Sequence, residues 1–451
     1  MYFDKHQIKN IMRLAWPAIV QEAMGVVVVY VDTAMVGQLG ANVSAAVGLT
    51  GTFNWLIGSV CLGFGVGVLA NAAKANGSND EQKMSNTCAQ AWFITLILGS
   101  VLTAICLLIS PYLSIWLNGD TRIRRDASAY FAIASSTLLF KTAILVLASA
   151  LRGISNMKTP MYIDLLTNFI NIILNYFLIY PSRTIMDHHI YGANLGITGA
   201  AVATAIAYLI GGIWMILAFL FNRQLNFKKY GLHFNRQIMY ECLTISIPVV
   251  MERSVICLGH VAFTGIIAAL GVKAFAAHTI AIQAEQAFYI PGYGFQSSCA
   301  TLVGNAVGQK DERKIYTTTY TISGMSFITM VICGLLLFIY AKPIMRIFTK
   351  DTAVISLGTQ VLKIVSVSEP IFGVLCNLEG TFNGMGDTKA PFVFSLFTMW
   401  FIRVLGSYLA INHFNFGLQA VWIMMVIDNI THCLLLITRF NRGSWKGHLN
   451  F

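Results

Sequence analysis

The chain has 451 residues, of which 56% are hydrophobic and only 11% charged. A soluble domain carries about 25% charged residues, and no soluble core absorbs this much apolar surface, so the composition excludes a soluble globular fold and points to a lipid bilayer. The net charge of +11 does not mark a nucleic-acid surface, because the lysines and arginines lie between apolar runs, as membrane topology requires.

Twelve apolar runs follow in chain order. Six lie near 14–39, 47–72, 90–117, 128–150, 160–181 and 196–221, and six near 243–270, 277–303, 319–346, 355–380, 389–412 and 417–439. A spanning helix needs about 20 residues, and only helices or closed barrels satisfy their backbone in hydrocarbon. These runs are too long for barrel strands. The first is also too long for a cleavable signal peptide and carries two acids. With the N-terminus inside, 18 of the 30 lysines and arginines fall in cytoplasmic segments and 8 in outer loops. That bias predicts both termini on the cytoplasmic side of the membrane. The nine cysteines sit in or beside apolar runs, as small apolar side chains rather than a disulfide framework.

The sequence is written twice. "PAIVQEAMGVVVVYVDTAMVGQLGANVSAA" from Pro17 aligns with "PVVMERSVICLGHVAFTGIIAALGVKAFAA" from Pro248 at an offset of 231. The register persists through Gly77 and Gly308, Asp80-Glu81 and Asp311-Glu312, and Asp120-Thr121 and Asp351-Thr352. "GISNMKTP" (153–160) then matches "GMGDTKAP" (384–391). About ten residues around "SRTIMDHHIY" are extra in the first half, after which Gly196 matches Gly417. A constant offset over this length is an internal repeat. Six spans per half bring both halves into the membrane in the same sense, so the pseudo-two-fold axis runs along the membrane normal. The expected fold is all-α, with 12 transmembrane helices in two six-helix lobes. The expected division is an N-lobe at 1–221, a cytoplasmic linker at 222–242 and a C-lobe at 243–451.

The chain resembles the MATE family of multidrug and toxic compound extrusion transporters along nearly its whole length. The resemblance is carried by "WPAIVQEAMGVVVVYVDTAMVGQLG" (16–40), "LRGISNMKTP" (151–160), "NIILNYFLI" (171–179) and "LGITGAAVATAIA" (195–207). It continues in "AAHTIAIQAEQAFYIPGYGFQSSCATLVGNAVGQ" (276–309) and "GTFNGMGDTKAP" (380–391). The resemblance implies cation-coupled export of amphipathic or cationic organic compounds by alternating access, driven by H⁺ or alternatively Na⁺, without a cofactor. The partners it implies are small organic substrates and the bilayer, with the chain acting as a monomer. The alternative is a flippase for lipid-linked saccharide precursors of the same superfamily; twelve spans and an excess of intramembrane acids weigh against it.

Eight acids lie inside or at the edges of the runs: Glu22, Asp32, Asp164, Glu252, Glu285, Glu369, Glu379 and Asp428. A charge at the bilayer centre costs about 2.5–3.5 kcal/mol on insertion scales, and such residues face a cavity or a partner. Asp32 is the sharpest case. Its repeat counterpart is Phe263, so packing symmetry does not demand an acid there. Desolvation penalises a charged carboxylate, which suits a group that takes and releases a proton. Asp164, Asn168, Asn171 and Asn175 follow at steps of 4, 3 and 4, on one helical face. Asp32, Asn171, Asn175 and Thr204 match family positions lining the N-lobe cation or proton site; many relatives carry Asp where Asn175 stands. In the C-lobe, Glu285, Glu252, Glu379, Arg403 and Asp428 are candidates for a substrate or ion site, with Glu285 preferred and Arg403 available to neutralise an acid. Glu252 follows Pro248 by four residues, about one turn nearer the cytoplasm than the family's seventh-span acid.

Three further patterns carry no chemistry. "GFGVG" (63–67) follows no strand, and close helix packing accounts for it. His188-His189 has no third ligand at metal spacing. No nucleophile–base arrangement and no nucleotide loop is present, so neither an enzyme nor an ATP-driven pump is expected.

Overall fold

The computed structural model describes residues 5–117, 120–185 and 188–448. The first half holds α1 (Lys5–Gly37), α2 (Ala41–Gly77), α3 (Glu81–Trp116), α4 (Thr121–Ser135), α5 (Leu138–Gly153) and α6 (Lys158–Ile179). A hairpin of β1 (Pro181–Ile185) and β2 (His188–Ala193) leads to α7 (Gly196–Leu220) and the single turn α8 (Phe227–Tyr230). The second half holds α9 (Arg236–Ala268), α10 (Val272–Gly308), α11 (Glu312–Phe348), α12 (Thr352–Ser366) and α13 (Glu369–Met385). It ends with α14 (Lys389–Phe397), a π-helical segment (Thr398–Leu405), α15 (Gly406–Asn412) and α16 (Leu418–Asn441).

The repeat survives element by element. Helices α1 and α9, α2 and α10, and α4 and α12 begin and end 231 residues apart. The shared acids are helix caps. Asp80 accepts from the Lys83 amide at 2.8 Å and Asp311 from the Lys314 amide at 2.9 Å. Asp120 and Asp351 cap α4 and α12 in the same way, at 2.9 and 2.8 Å. Each satisfies an amide that the first helical turn leaves without a partner. Gly40 and Gly271 adopt φ of 114° and 95° between the first two helices of each repeat, a region where a Cβ is strained. The region of the residues extra in the first half contains β1 and β2, whose antiparallel register pairs Arg183 with Ile190 and Thr184 with His189.

Among the described residues, nine helices are long and apolar enough to cross a bilayer, and two bent helix pairs raise that to eleven. Helix α10, 37 residues long, supplies the twelfth by length; Lys273, His278, Gln283, Glu285 and Gln286 lower its apolarity. The runs expected at 128–150 and 355–380 are not single straight helices. Helices α4 and α5 meet at 49°, and α12 and α13 at 54°. At each break a hydroxyl turns back on the helix: Thr137 Oγ1 donates to the Ala134 carbonyl at 3.4 Å and Ser368 Oγ to the Val365 carbonyl at 2.9 Å. Such bonds compete with the helical ladder, and they recur at equivalent positions. The lipid faces repeat as well. Ile97, Val101 and Leu108 of α3 are 60%, 49% and 73% exposed, and their counterparts Ile328, Ile332 and Ile339 of α11 are 60%, 55% and 64%. Apolar stripes this open are covered by acyl chains rather than water.

The chain divides into two compact units. One comprises Ala23–Ala72 and Asp80–Leu243, the other Met1–Glu22, Ala73–Asn79 and Thr244–Phe451. These units do not follow lobe boundaries at 1–221 and 243–451. Ile11 and Ala15 of α1 join a core with Phe295, Cys299, Val303, Phe382 and Phe440, which draws the first turns of α1 into the second unit. Gly77, at the end of α2, faces α10 so closely that a Cβ would lie 2.0 Å from the Asn305 carbonyl oxygen. Gly308 meets the Lys74 carbonyl at the same 2.0 Å. Lys74 and Asn305 are themselves 231 apart, so the contact is reciprocal, as a two-fold relation demands. The segment at 222–242 belongs to the first unit. Gln90 of α3 holds it, donating to the His233 carbonyl at 3.0 Å and accepting from the Asn235 amide at 3.1 Å.

Candidate cation site in the first repeat

Asp32 lies on α1, half-buried, within the first unit. The face of α6 predicted from its 4-3-4 spacing turns inward, with Asn171 and Asn175 buried. Asn175 Nδ2 donates to Asp32 Oδ1 at 2.7 Å and to Asn171 Oδ1 at 3.2 Å. Asn171 Nδ2 donates in turn to Thr204 Oγ1 of α7 at 3.3 Å. Thr204 is anchored by its own bond to the Ala200 carbonyl, at 3.0 Å. Three helices thus bring Asp32, Asn175, Asn171 and Thr204 into one chain of hydrogen bonds. Asp164 and Asn168 form a separate pair on the same helix, at 3.2 Å.

The chain is incomplete at one atom. Asn175 Oδ1 is buried and has no donor. A buried acceptor left unmade costs about 1–3 kcal/mol. Beside a carboxylate, such an atom fits a bound cation or the proton of a neutral Asp32.

The second repeat places a different chemistry in the corresponding position. Phe263 stands where Asp32 does, and its ring lies 5.9 Å from the Arg403 guanidinium. Arg403 lies in the π-helical segment, which corresponds to 167–174 of α6 at the offset of 231. Its Nε is 2.6 Å from Asp428 Oδ2 of α16, and a terminal nitrogen donates to Asn429 Oδ1 at 3.1 Å. Arg403 therefore neutralises Asp428 in a buried ion pair, although the angle at Nε does not make that contact a hydrogen bond.

The remaining acids separate. Glu252 accepts from Ser395 Oγ at 2.8 Å, and Ser395 lies 3.5 Å from His432 Nε2. Glu379 accepts from Gln296 at 3.0 Å. Arg253 lies within electrostatic reach of both Glu252 and Glu379. Glu285 accepts from the Tyr289 hydroxyl. The five C-lobe candidates do not gather into a single ligand set. Sequence reasoning counted Glu369 among the acids but passed over it as a site residue, although it is 0% exposed. The available signal was its place before Pro370, where the first repeat has Leu138.

The discounted patterns also have locations. A Cβ on Gly65 would lie 2.4 Å from Ser149 Oγ of α5, so the glycine-rich stretch is a helix crossing. The side chains of His188 and His189 lie outside the described residues. Among the described residues no group of three or more His, Cys, Asp or Glu could hold a metal, and none of the nine cysteines is in a disulfide.

A duplicated six-helix bundle with apolar outer stripes and a buried carboxylate–amide chain defines an integral membrane protein of the transporter class. The MatE family model matches residues 17–177 and, a second time, residues 248–409; the chain belongs to this family. It is 25% identical over 449 residues to the probable multidrug resistance protein NorM of Thermotoga maritima, spanning 99% of this chain and 95% of that protein. It is 21% identical over 444 residues to the uncharacterized transporter YisQ of Bacillus subtilis, spanning 97% and 94%. Among solved structures, an outward-facing multidrug resistance MATE family transporter of the MOP superfamily is similar with a TM-score of 0.90 at 20% identity, over 98% of this chain and 97% of that one. A MOP superfamily transporter from Pyrococcus furiosus, described by the reversed polarity of its binding pocket, is similar with a TM-score of 0.89 at the same identity and coverage. At such identity the likeness establishes the fold, twelve helices in two lobes.

Proposed function

We propose that the protein is a multidrug efflux antiporter in which inward movement of a cation through the Asp32 site drives export of amphipathic or cationic organic compounds. Relatives that carry multidrug resistance in their names support the substrate class. The observation that carries the coupling site is the 2.7 Å bond from Asn175 to Asp32 beside an amide oxygen without a donor. The ion is H⁺ in preference to Na⁺, because Asp32 is the one carboxylate in the cluster and its neighbours are neutral amides and a hydroxyl. Binding the proton removes the desolvation cost of the charge, and a few kcal/mol is enough to bias a two-state equilibrium. Asp32 takes the proton from outside, substrate leaves, and the proton is released to the cytoplasm after the access switches. Both termini and the 222–242 segment lie in the cytoplasm on this reading, and the chain functions as a monomer.

The test is Asp32→Asn, which keeps the shape and removes the titration. In liposomes with an imposed pH gradient, the purified variant remains folded and loses drug export by an order of magnitude or more. Export at the parental rate moves the coupling site elsewhere. A response of the parental protein to a Na⁺ gradient alone replaces H⁺ as the ion.

A further inference from the structure

Helix α5 is an inner helix. None of its 16 residues is exposed, in contrast to the lipid stripe of α3. Its neighbours press against it closely. A Cβ on Gly99 of α3 would lie 2.7 Å from Leu139 Cδ1, one on Gly212 of α7 2.5 Å from Phe140 Cβ, and one on Gly65 of α2 2.4 Å from Ser149 Oγ. Thr142 turns into the packed side, where its hydroxyl lies 3.4 Å from Cys61 Sγ. Among these contacts stands Lys141, half-buried. It precedes Arg152 of the last turn by 11 residues, about 16 Å along the helix axis. That depth is close to the middle of a hydrocarbon core about 30 Å thick.

The lysine has an aromatic ring where an acid is expected. Its ammonium lies 5.4 Å from the centroid of the Tyr208 ring on α7. The ammonium makes no hydrogen bond and no ion pair among the described residues. The thiols Cys61 and Cys106 are the other titratable groups near it, and a thiol is no counter-ion. An aromatic face attracts a cation but leaves its charge uncompensated, whereas charges inside a membrane are as a rule paired or held against a cavity. Nor does the fold need a charge here. The repeat counterpart of Lys141 is Phe372, whose ring stacks on Tyr289 at 4.1 Å. Tyr208 follows Thr204 by four residues, so the ring that holds Lys141 lies one turn along the same face of α7 from the end of the Asp32 hydrogen-bond chain.

We propose that Lys141 and Tyr208 form an anion-recognition site whose ligand is the carboxylate of an amphipathic organic compound. An ammonium has three donors, and the Tyr208 face steadies it while leaving those donors to the ligand. A carboxylate brings the single negative charge that one ammonium lacks; a doubly charged phosphate would leave an excess charge at a depth where charge is costly. With this site the compounds bound include zwitterions, whose carboxylate a pocket of acids alone would repel. That the bound compound is carried across the membrane rests on the proposed efflux function; that Lys141 binds a carboxylate does not.

Equilibrium binding to the purified full chain tests the site without a gradient. The probes are rhodamine B, which carries a free carboxylate, and its ethyl ester, a cation on the same ring system. Followed by fluorescence anisotropy, the parental chain binds both. Lys141→Met weakens rhodamine B about tenfold, the loss expected for one hydrogen bond between charged groups, and leaves the ester unchanged. Lys141→Arg keeps both affinities. Lys141→Phe installs the residue of the second repeat, melts like the parent and repeats the selective loss. The proposal falls if Lys141→Met and Lys141→Phe weaken both dyes alike, which makes the lysine structural, or if they weaken neither. Binding of the ester but not of rhodamine B by the parental chain removes the anion site and leaves the efflux reading standing; binding of neither removes both. In liposomes, Lys141→Met lowers export of rhodamine B alone. Equal loss for both dyes places the lysine in the coupling step and overturns its role in recognition.

Discussion

Asn175 and Asp32, 143 residues apart in sequence, meet at 2.7 Å through a single amide–carboxylate hydrogen bond. The acid is stabilised there by neutral dipoles rather than by a cation. A carboxylate held by neutral dipoles takes up a proton more readily than one held ionised by a neighbouring cation.

Changing Asn175 should change the ion preference. Asn175→Asp places two carboxylates side by side, the arrangement that favours a bound metal cation over a lone proton. Drug export by this variant gains a dependence on Na⁺, read as stimulation by a Na⁺ gradient at equal pH on both sides. Asn175→Leu removes the donor, and coupled export falls although the protein stays folded. Parental ion dependence in both variants would separate Asn175 from the coupling site.

The reciprocal glycine contact predicts equal penalties at two distant positions. Gly77→Ala and Gly308→Ala each place a Cβ 2.0 Å from a backbone carbonyl oxygen, which cannot rotate away. Overpacking of this kind costs about 1–3 kcal/mol. Thermal unfolding in detergent should show both variants lowered by similar amounts. A penalty at one position alone would show that the reciprocity has no energetic counterpart.

Arg403 and Asp428, each under 10% exposed, form a pair whose halves are unequal to the whole. Arg403→Met leaves Asp428 buried without its cation, a loss of about 3–5 kcal/mol. The double substitution Arg403→Met with Asp428→Leu removes both charges and recovers most of that stability. Melting temperatures of the parent, the two single variants and the double variant close the cycle. An additive result would mean that the two side chains are not energetically coupled.

Topology has its own check. A cysteine introduced at Tyr230, in the short helix between the halves, should react with a membrane-impermeant maleimide only in permeabilised cells. Labelling of intact cells would place the segment outside and reverse the orientation drawn from the basic residues.

The sequence by itself determined membrane residence, the twelve helices and the duplication. Each of these is written locally: apolar runs of sufficient length, an offset held over some 140 residues, and Asp80, Asp120, Asp311 and Asp351 at helix starts, where they later prove to be caps. It also placed Asn171 and Asn175 on one face, because helical periodicity is a local rule. The tertiary structure decided which acids act together. Arg403 and Asp428 lie on elements separated by α15, and Glu252 and Ser395 lie 143 positions apart; nothing in their spacing says that the first two form an ion pair and the second two a hydrogen bond. The units likewise take in residues 1–22 and 73–79 because Ile11, Ala15 and Gly77 find their contacts on helices of the second repeat. Partner choice among buried polar groups is set by where whole helices cross, and the long-range packing that fixes those crossings leaves no periodic trace in the chain.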